Sequence, residues 1–158
     1  MRKLTNPFVK LPGYNCFGCS PGNPSGLQMT FTEEGEEIVS RWDPKIHFQG
    51  YHNVLHGGIQ SAMMDEIASW TVYTKAKRAG VTSRMNVRYY KPVRVDEGTL
   101  LLKAKLESMK RNLAEVRVQL FNHKKILCAE ATVIYFTFSE EKSKGTLYYP
   151  GAESFFGE

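Results

Sequence analysis

The chain has 158 residues, 42% of them hydrophobic and 23% charged, with a formal net charge of +5. That composition is ordinary for one globular domain with a sizeable core. No apolar run approaches the roughly 20 residues that span a bilayer, and MRKLTNPFVKLPGYNC has no apolar signal core, so the expected compartment is the cytoplasm.

Residues 1–26 are rich in Pro, Gly and Asn and read as an irregular lead-in. LQMTFTEE (27–34) and EEIVSRW (36–42), with Gly35 between them, predict two strands joined by a tight turn. The stretch from Asp43 to His56 is a loop carrying His47, His52 and His56, and so long a loop is often functional. Ile59, Ala62, Met63, Ile67, Trp70 and Tyr73 then recur at three- and four-residue steps, an apolar helical stripe. Lys75, Lys77 and Arg78 suit its C-terminal dipole and Gly80 suits the C′ position, which predicts one long helix from about Gly57 to Ala79.

The remainder reads as strands: TSRMNVRYYKPV, TLLLKAKLESM, AEVRVQLFN and ILCAEATVIYFTF, separated by short polar turns. Such spacing predicts an antiparallel meander. Residues 139–158 form a tail, polar and then aromatic. With no repeat and no linker, residues 1–158 read as a single domain of the α+β class, its antiparallel β-sheet wrapped around one long central helix.

Chemistry concentrates in HGGIQSAMMDEIASW, His56 to Trp70. A helix N-terminus presents unpaired N–H groups and partial positive charge, and glycines let a ligand approach it. Gly57 and Gly58 therefore suit a developing oxyanion. Asp65 points about 130° from the apolar stripe, among Ser61, Ala62, Ala68 and Ser69. It sits on a solvated side, or a substrate or second chain covers it and makes it a base or nucleophile. Gly57 and Asp65 are about 12 Å apart along the helix, too far to serve one carbonyl. Two antiparallel copies of the helix would solve this, which predicts a homodimer with two shared sites.

"CFGCSPGNPSGL", "VLHGGIQSAMMDE" and "NVRYYKPV" resemble the hotdog-fold acyl-CoA thioesterases, in particular their PaaI-like, phenylacetate-pathway branch. The resemblance covers roughly residues 16–138. It implies hydrolysis of an aromatic or medium-chain acyl-CoA, with Asp65 as the catalytic carboxylate, the Gly57 N–H as oxyanion donor and His56 ordering the loop. It also marks Ser69 as a residue near the attacking water. No cofactor is implied, because coenzyme A belongs to the substrate, and the expected assembly is a dimer or a dimer of dimers. Relatives often carry Asn or Gln six residues before the His, where this chain has Gly50; Gln49, His52 and Asn53 are the polar residues at hand.

Gly58, Asn53, Met63, Asn86 and Tyr89 are the further candidates for contact with substrate. No acidic residue lies between Ile67 and Val95, while Arg84, Arg88 and five other basic residues do. Together with Lys110 and Arg111, Arg84 and Arg88 are candidates for the CoA phosphates. The chain has no recognisable nucleic-acid module, and neither nucleic acid nor membrane is an expected partner. Cys16-x-x-Cys19 has no second Cys or His pair with it, so it reads as a turn with no metal. The rival readings are a hotdog hydratase or dehydratase using His47 as base, and a non-catalytic acyl-CoA-binding domain.

Overall fold

The computed structural model describes residues 1–157. Seven antiparallel strands form one sheet in the order β1-β2-β3-β5-β6-β7-β4. They are β1 (Arg2–Lys3), β2 (Thr32–Glu34), β3 (Glu37–Trp42), β4 (Gly80–Tyr89), β5 (Leu100–Lys110), β6 (Leu113–Phe121) and β7 (Leu127–Thr137). Helix α1 (Gly57–Thr71) lies across the concave face and packs on β3, β4, β5, β6 and β7. This is the hotdog arrangement expected from the sequence.

Alternation along the strands explains the core. Leu102 and Ala104, Val116, Val118 and Leu120, and Ala129, Ala131 and Val133 face α1 and are at most 1% exposed. Met63, Met64 and Ile67 of α1 are fully buried against them, each contributing about 1.5–3 kcal/mol. The buried side of α1 is wider than the expected stripe. It also takes in Gln60, Met64, Ala68 and Thr71, because a curved sheet covers more of a helix than a flat one.

The helix does not run to Ala79. It ends at Thr71 and continues as a π-helical turn, Val72–Ala76, which Lys77 closes at φ +57°. The Thr71 and Thr74 hydroxyls bond back to Ile67 O (2.9 Å) and Trp70 O (2.7 Å), a pattern that bends helices. Gly80 is therefore not the C′ residue. It opens β4, where a Cβ would come within 2.6 Å of Phe136 O.

The two ends of the chain also hold more structure than their composition suggested. The lead-in contributes β1, paired to β2, and a 3-10 turn at Pro7–Lys10. The tail forms a short helix α2 (Glu140–Thr146), capped by the Ser139 hydroxyl, and then returns to the body. Phe155 and Tyr149 are buried there, and the Phe155 ring meets those of Phe8, Trp70 and Tyr73. No helix among the described residues is long and apolar enough to cross a membrane.

Candidate active site

The chain enters α1 from a loop fixed by backbone bonds: Leu55 N–H to Val93 O (2.7 Å) and His56 N–H to Phe48 O (3.0 Å). His56 is the N-cap residue, and its Nδ1 accepts from the Gly58 N–H at 2.9 Å. Glycine at 58 makes room for this, since a Cβ would lie 3.0 Å from the ring. The Gly58 N–H is thus spent inside the chain, whereas the Gly57 N–H has no partner among the described residues. Tyr89 Oη donates to Gly57 O at 2.9 Å and meets the Ser61 hydroxyl, pinning the first turn to the end of β4. A pocket of about 400 Å³, walled by Gly50, Tyr51, Val54, Leu55, His56 and Gly57, opens at this helix end.

Asp65 lies two turns further along α1. Its Oδ1 accepts from Thr82 Oγ1 (2.8 Å) and Tyr135 Oη (2.8 Å), and the tyrosine also reaches Asp65 O (2.9 Å). Its Oδ2 accepts no hydrogen bond among the described residues. Burial first, and the Asp65 charge second, push the Tyr135 phenol well above its ordinary range, so it remains a donor. Asp65 is therefore neither loose on a solvated face nor sealed in the core. It is a carboxylate oriented through one oxygen, with the other free.

Sequence reasoning missed both of these partners. Tyr135 had a signal: it continues the inward-facing row of Ala131 and Val133, where a phenol needs a polar partner. Thr82 had none, because the β-bulge between Thr82 and Arg84 shifts the alternation there.

The other candidate residues separate into groups. His56, Gly57, Gly58 and Tyr89 cluster at the helix start. The Asn53 N–H donates to Gln49 Oε1 (2.7 Å), so these two polar residues hold each other in the loop. Met63 is fully buried against the sheet and lines no surface in this chain. Ser69 points to a different pocket, beside Glu66, Cys16 and Cys19. Arg84 and Lys110 do converge, on a groove of about 450 Å³ with Ser83, Ser108 and Glu115. Asn86 and Arg88 line a separate groove with Glu130, and Arg111 turns the β5–β6 hairpin at φ +55°. His47 packs against Phe48, ring centroids 4.1 Å apart and planes tilted by 45°.

The sequence model of the thioesterase superfamily matches residues 52–129, from the loop before α1 to the start of β7. Over just under half of its length the chain is similar to the thioesterase superfamily. Among solved structures, a thioesterase superfamily protein aligns at TM-score 0.66 and 18% identity over 72% of this chain; the chain spans just over half, 56%, of that protein. The Streptococcus mutans UA159 protein smu.793, bound to acetyl-CoA, aligns at TM-score 0.66 and 20% identity, covering 82% of this chain and 97% of its own. A hypothetical thioesterase with coenzyme A from Streptococcus pneumoniae TIGR4 aligns at TM-score 0.65 and 20% identity, over 70% of this chain and 89% of its own. At these identities the shared property is the fold. A comparison with curated proteins finds no match. The matched region holds His56, Gly57, Asp65 and Thr82, while Tyr135 lies beyond its end.

Proposed function

We propose that this protein is an acyl-CoA thioesterase that hydrolyses an aromatic or medium-chain acyl-CoA at a site shared by two copies of the chain. The observation that carries this reading is Asp65, oriented by Thr82 and Tyr135 through Oδ1 and left with Oδ2 free. The second element is the Gly57 N–H at the positive end of α1, open where the Gly58 N–H is not.

One helix keeps these groups about 12 Å apart, so the reading requires two chains. Support comes from β4, which among the described residues pairs only with β7 and leaves its other edge open over ten residues. A long open edge invites another strand. A second copy added there in antiparallel fashion brings a second α1 alongside the first, in the opposite sense. Each Gly57 then approaches the other chain's Asp65.

In the reaction, the thioester oxygen accepts from the Gly57 N–H as negative charge develops on it. Oδ2 of Asp65 takes a proton from the attacking water, or itself attacks the carbonyl to give a mixed anhydride that water then opens. Either route releases the CoA thiol and a carboxylic acid. Arg84 and Lys110, which line one groove, would hold the CoA phosphates, and the two neighbours crystallised with CoA or acetyl-CoA are consistent with that substrate.

The test is free-thiol release from a panel of aryl and straight-chain acyl-CoAs by wild type and Asp65→Asn. The reading expects turnover by the wild type and a loss of at least about 100-fold in the variant. No thiol release by the wild type, or an unimpaired Asp65→Asn, overturns it.

A further inference from the structure

The lead-in brings two thiols to a half-buried carboxylate on α1. Cys19 Sγ lies 3.4 Å from Cys16 Sγ, and Cys16 Sγ lies 3.7 Å from Glu66 Oε1. All three donor atoms fall within 4.8 Å of one another. In a tetrahedral zinc site, with Zn–S about 2.3 Å and Zn–O about 2.1 Å, neighbouring ligand atoms stand about 3.6–3.8 Å apart. The Cys16–Cys19 and Cys16–Glu66 separations need to change by only a few tenths of an ångström to fit, and the third, at most 4.8 Å, by no more than about 1.2 Å. The third ligand is out of reach of sequence reasoning, because it is 47 positions beyond Cys19 and comes from another element.

The loop is built around the carboxylate. At Gly18, between the two cysteines, a Cβ would lie 2.3–2.5 Å from the Glu66 side chain, so any larger residue would push the carboxylate aside. Backbone bonds Ser20 N–H to Cys16 O (3.1 Å) and Met29 N–H to Gly18 O (2.9 Å) hold the loop without a disulfide. The Asn6 amide secures Cys19 O at 3.1 Å.

Charge makes the same point. Glu66 pairs with no basic side chain among the described residues; its one firm donor is Trp70 Nε1, at 3.2 Å. Even half-burying a carboxylate without a countercharge costs free energy. A divalent cation supplies that charge. Two thiolates and one carboxylate select a borderline-soft tetrahedral ion over Mg²⁺ or Ca²⁺, which take oxygen ligands.

We propose that Cys16, Cys19 and Glu66 form a Zn²⁺ site that clamps the N-terminal segment to α1, one residue past Asp65. The fourth coordination position faces a pocket of about 310 Å³ whose wall also includes Ser69 and Tyr14. It is filled by water or by a ligand oxygen.

The experiment uses the full chain, reduced and stripped with chelator, then titrated with Zn²⁺ against a chromophoric competitor. We expect one Zn²⁺ per chain and a rise in melting temperature on loading. Cys16→Ser, Cys19→Ser and Glu66→Gln each weaken binding at least 10-fold, while Cys128→Ser leaves it unchanged. Loading with Co²⁺ should give a thiolate charge-transfer band that both Cys16→Ser and Cys19→Ser lose. If these variants fail to fold, peptide-mapped alkylation of the wild type replaces them, and Zn²⁺ should protect Cys16 and Cys19 together. Failure of the wild type to bind Zn²⁺ at micromolar concentration overturns the proposal. So does unchanged binding in the Cys variants, or a Cys16–Cys19 disulfide that forms in air with no Zn²⁺ taken up by the reduced chain.

Discussion

Tyr135→Phe removes one hydroxyl and leaves the ring, and so isolates what orientation of Asp65 is worth. The lost bond, 2.8 Å from the phenol to Asp65 Oδ1, is charge-assisted. Bonds of that kind contribute about 1.5–3 kcal/mol, which corresponds to roughly 10- to 150-fold in rate. Thr82 still holds the same oxygen at 2.8 Å, which places the expected loss in kcat at the lower end, about 10- to 50-fold. KM should barely move, because neither residue is placed at the acyl-CoA phosphates. The double variant Tyr135→Phe/Thr82→Val should approach Asp65→Asn. Stability should fall by about 1 kcal/mol, since the ring remains packed and Asp65 O keeps its place in the helix. The phenol is held far above its ordinary range by burial and by the Asp65 charge. It therefore stays protonated across the working range, and the ratio of wild-type to variant kcat should be flat between about pH 6 and 9. Steady-state thiol release at several pH values, with thermal melts of both proteins, decides the matter. A wild-type kcat in Tyr135→Phe would refute the orienting role, and a ratio that changes tenfold per pH unit would show that the phenol transfers a proton.

Arg84→Ala/Lys110→Ala removes both cations from the β4–β5 groove and should raise KM for acyl-CoA roughly 3- to 10-fold with kcat unchanged. The effect should shrink as salt is added, and equal losses for short thioesters lacking the nucleotide would contradict it. Phe155→Ala empties a fully buried position among Phe8, Trp70 and Tyr73. It should cost about 3–5 kcal/mol in urea unfolding, and a cost below about 1 kcal/mol would mean that the tail is not part of the core. Gly57→Pro removes the proposed oxyanion donor with little harm to the helix, because residue 57 is the first helical position and tolerates proline. His56 at φ −56°, ψ 133° already has a backbone suited to precede it. kcat should fall about 100- to 1000-fold with the melting temperature nearly unchanged, and retained kcat would remove Gly57 from the mechanism.

The strands and α1 were legible because their signals are periodic: inward Val, Leu and Ala alternate along β5–β7, and the apolar stripe of α1 recurs at helical steps. The end of α1 was misread because a Gly two residues past a basic cluster resembles a C-cap, while the actual stop is a π-turn made by threonine side chains. The tail was only half legible. Its aromatic residues were plain in the sequence, but their partners, Phe8 and Trp70, come from two other regions of the chain. The His-Gly-Gly and Asp65 pattern marked the helix end and the carboxylate on which the proposed site is built. What surrounds it was hidden by sequence distance: Tyr135 lies 70 positions from Asp65, and Glu66 lies 50 from Cys16. Met63 shows the converse error, since residue type alone suggested a substrate lining where the fold places core.

The most direct measurement mixes two disabled proteins. Gly57→Pro lacks the donor but keeps Asp65, and Asp65→Asn keeps the donor but lacks the carboxylate. In a mixed dimer with shared sites, the Asp65 of one chain meets the Gly57 N–H of the other, and one site of the two is whole. Equal amounts unfolded together and refolded should therefore recover up to about a quarter of wild-type thiol release, from half the dimers being mixed with one intact site each. Activity that stays at the sum of the two parents, in a sample shown to contain mixed dimers, would mean that each chain builds its site alone.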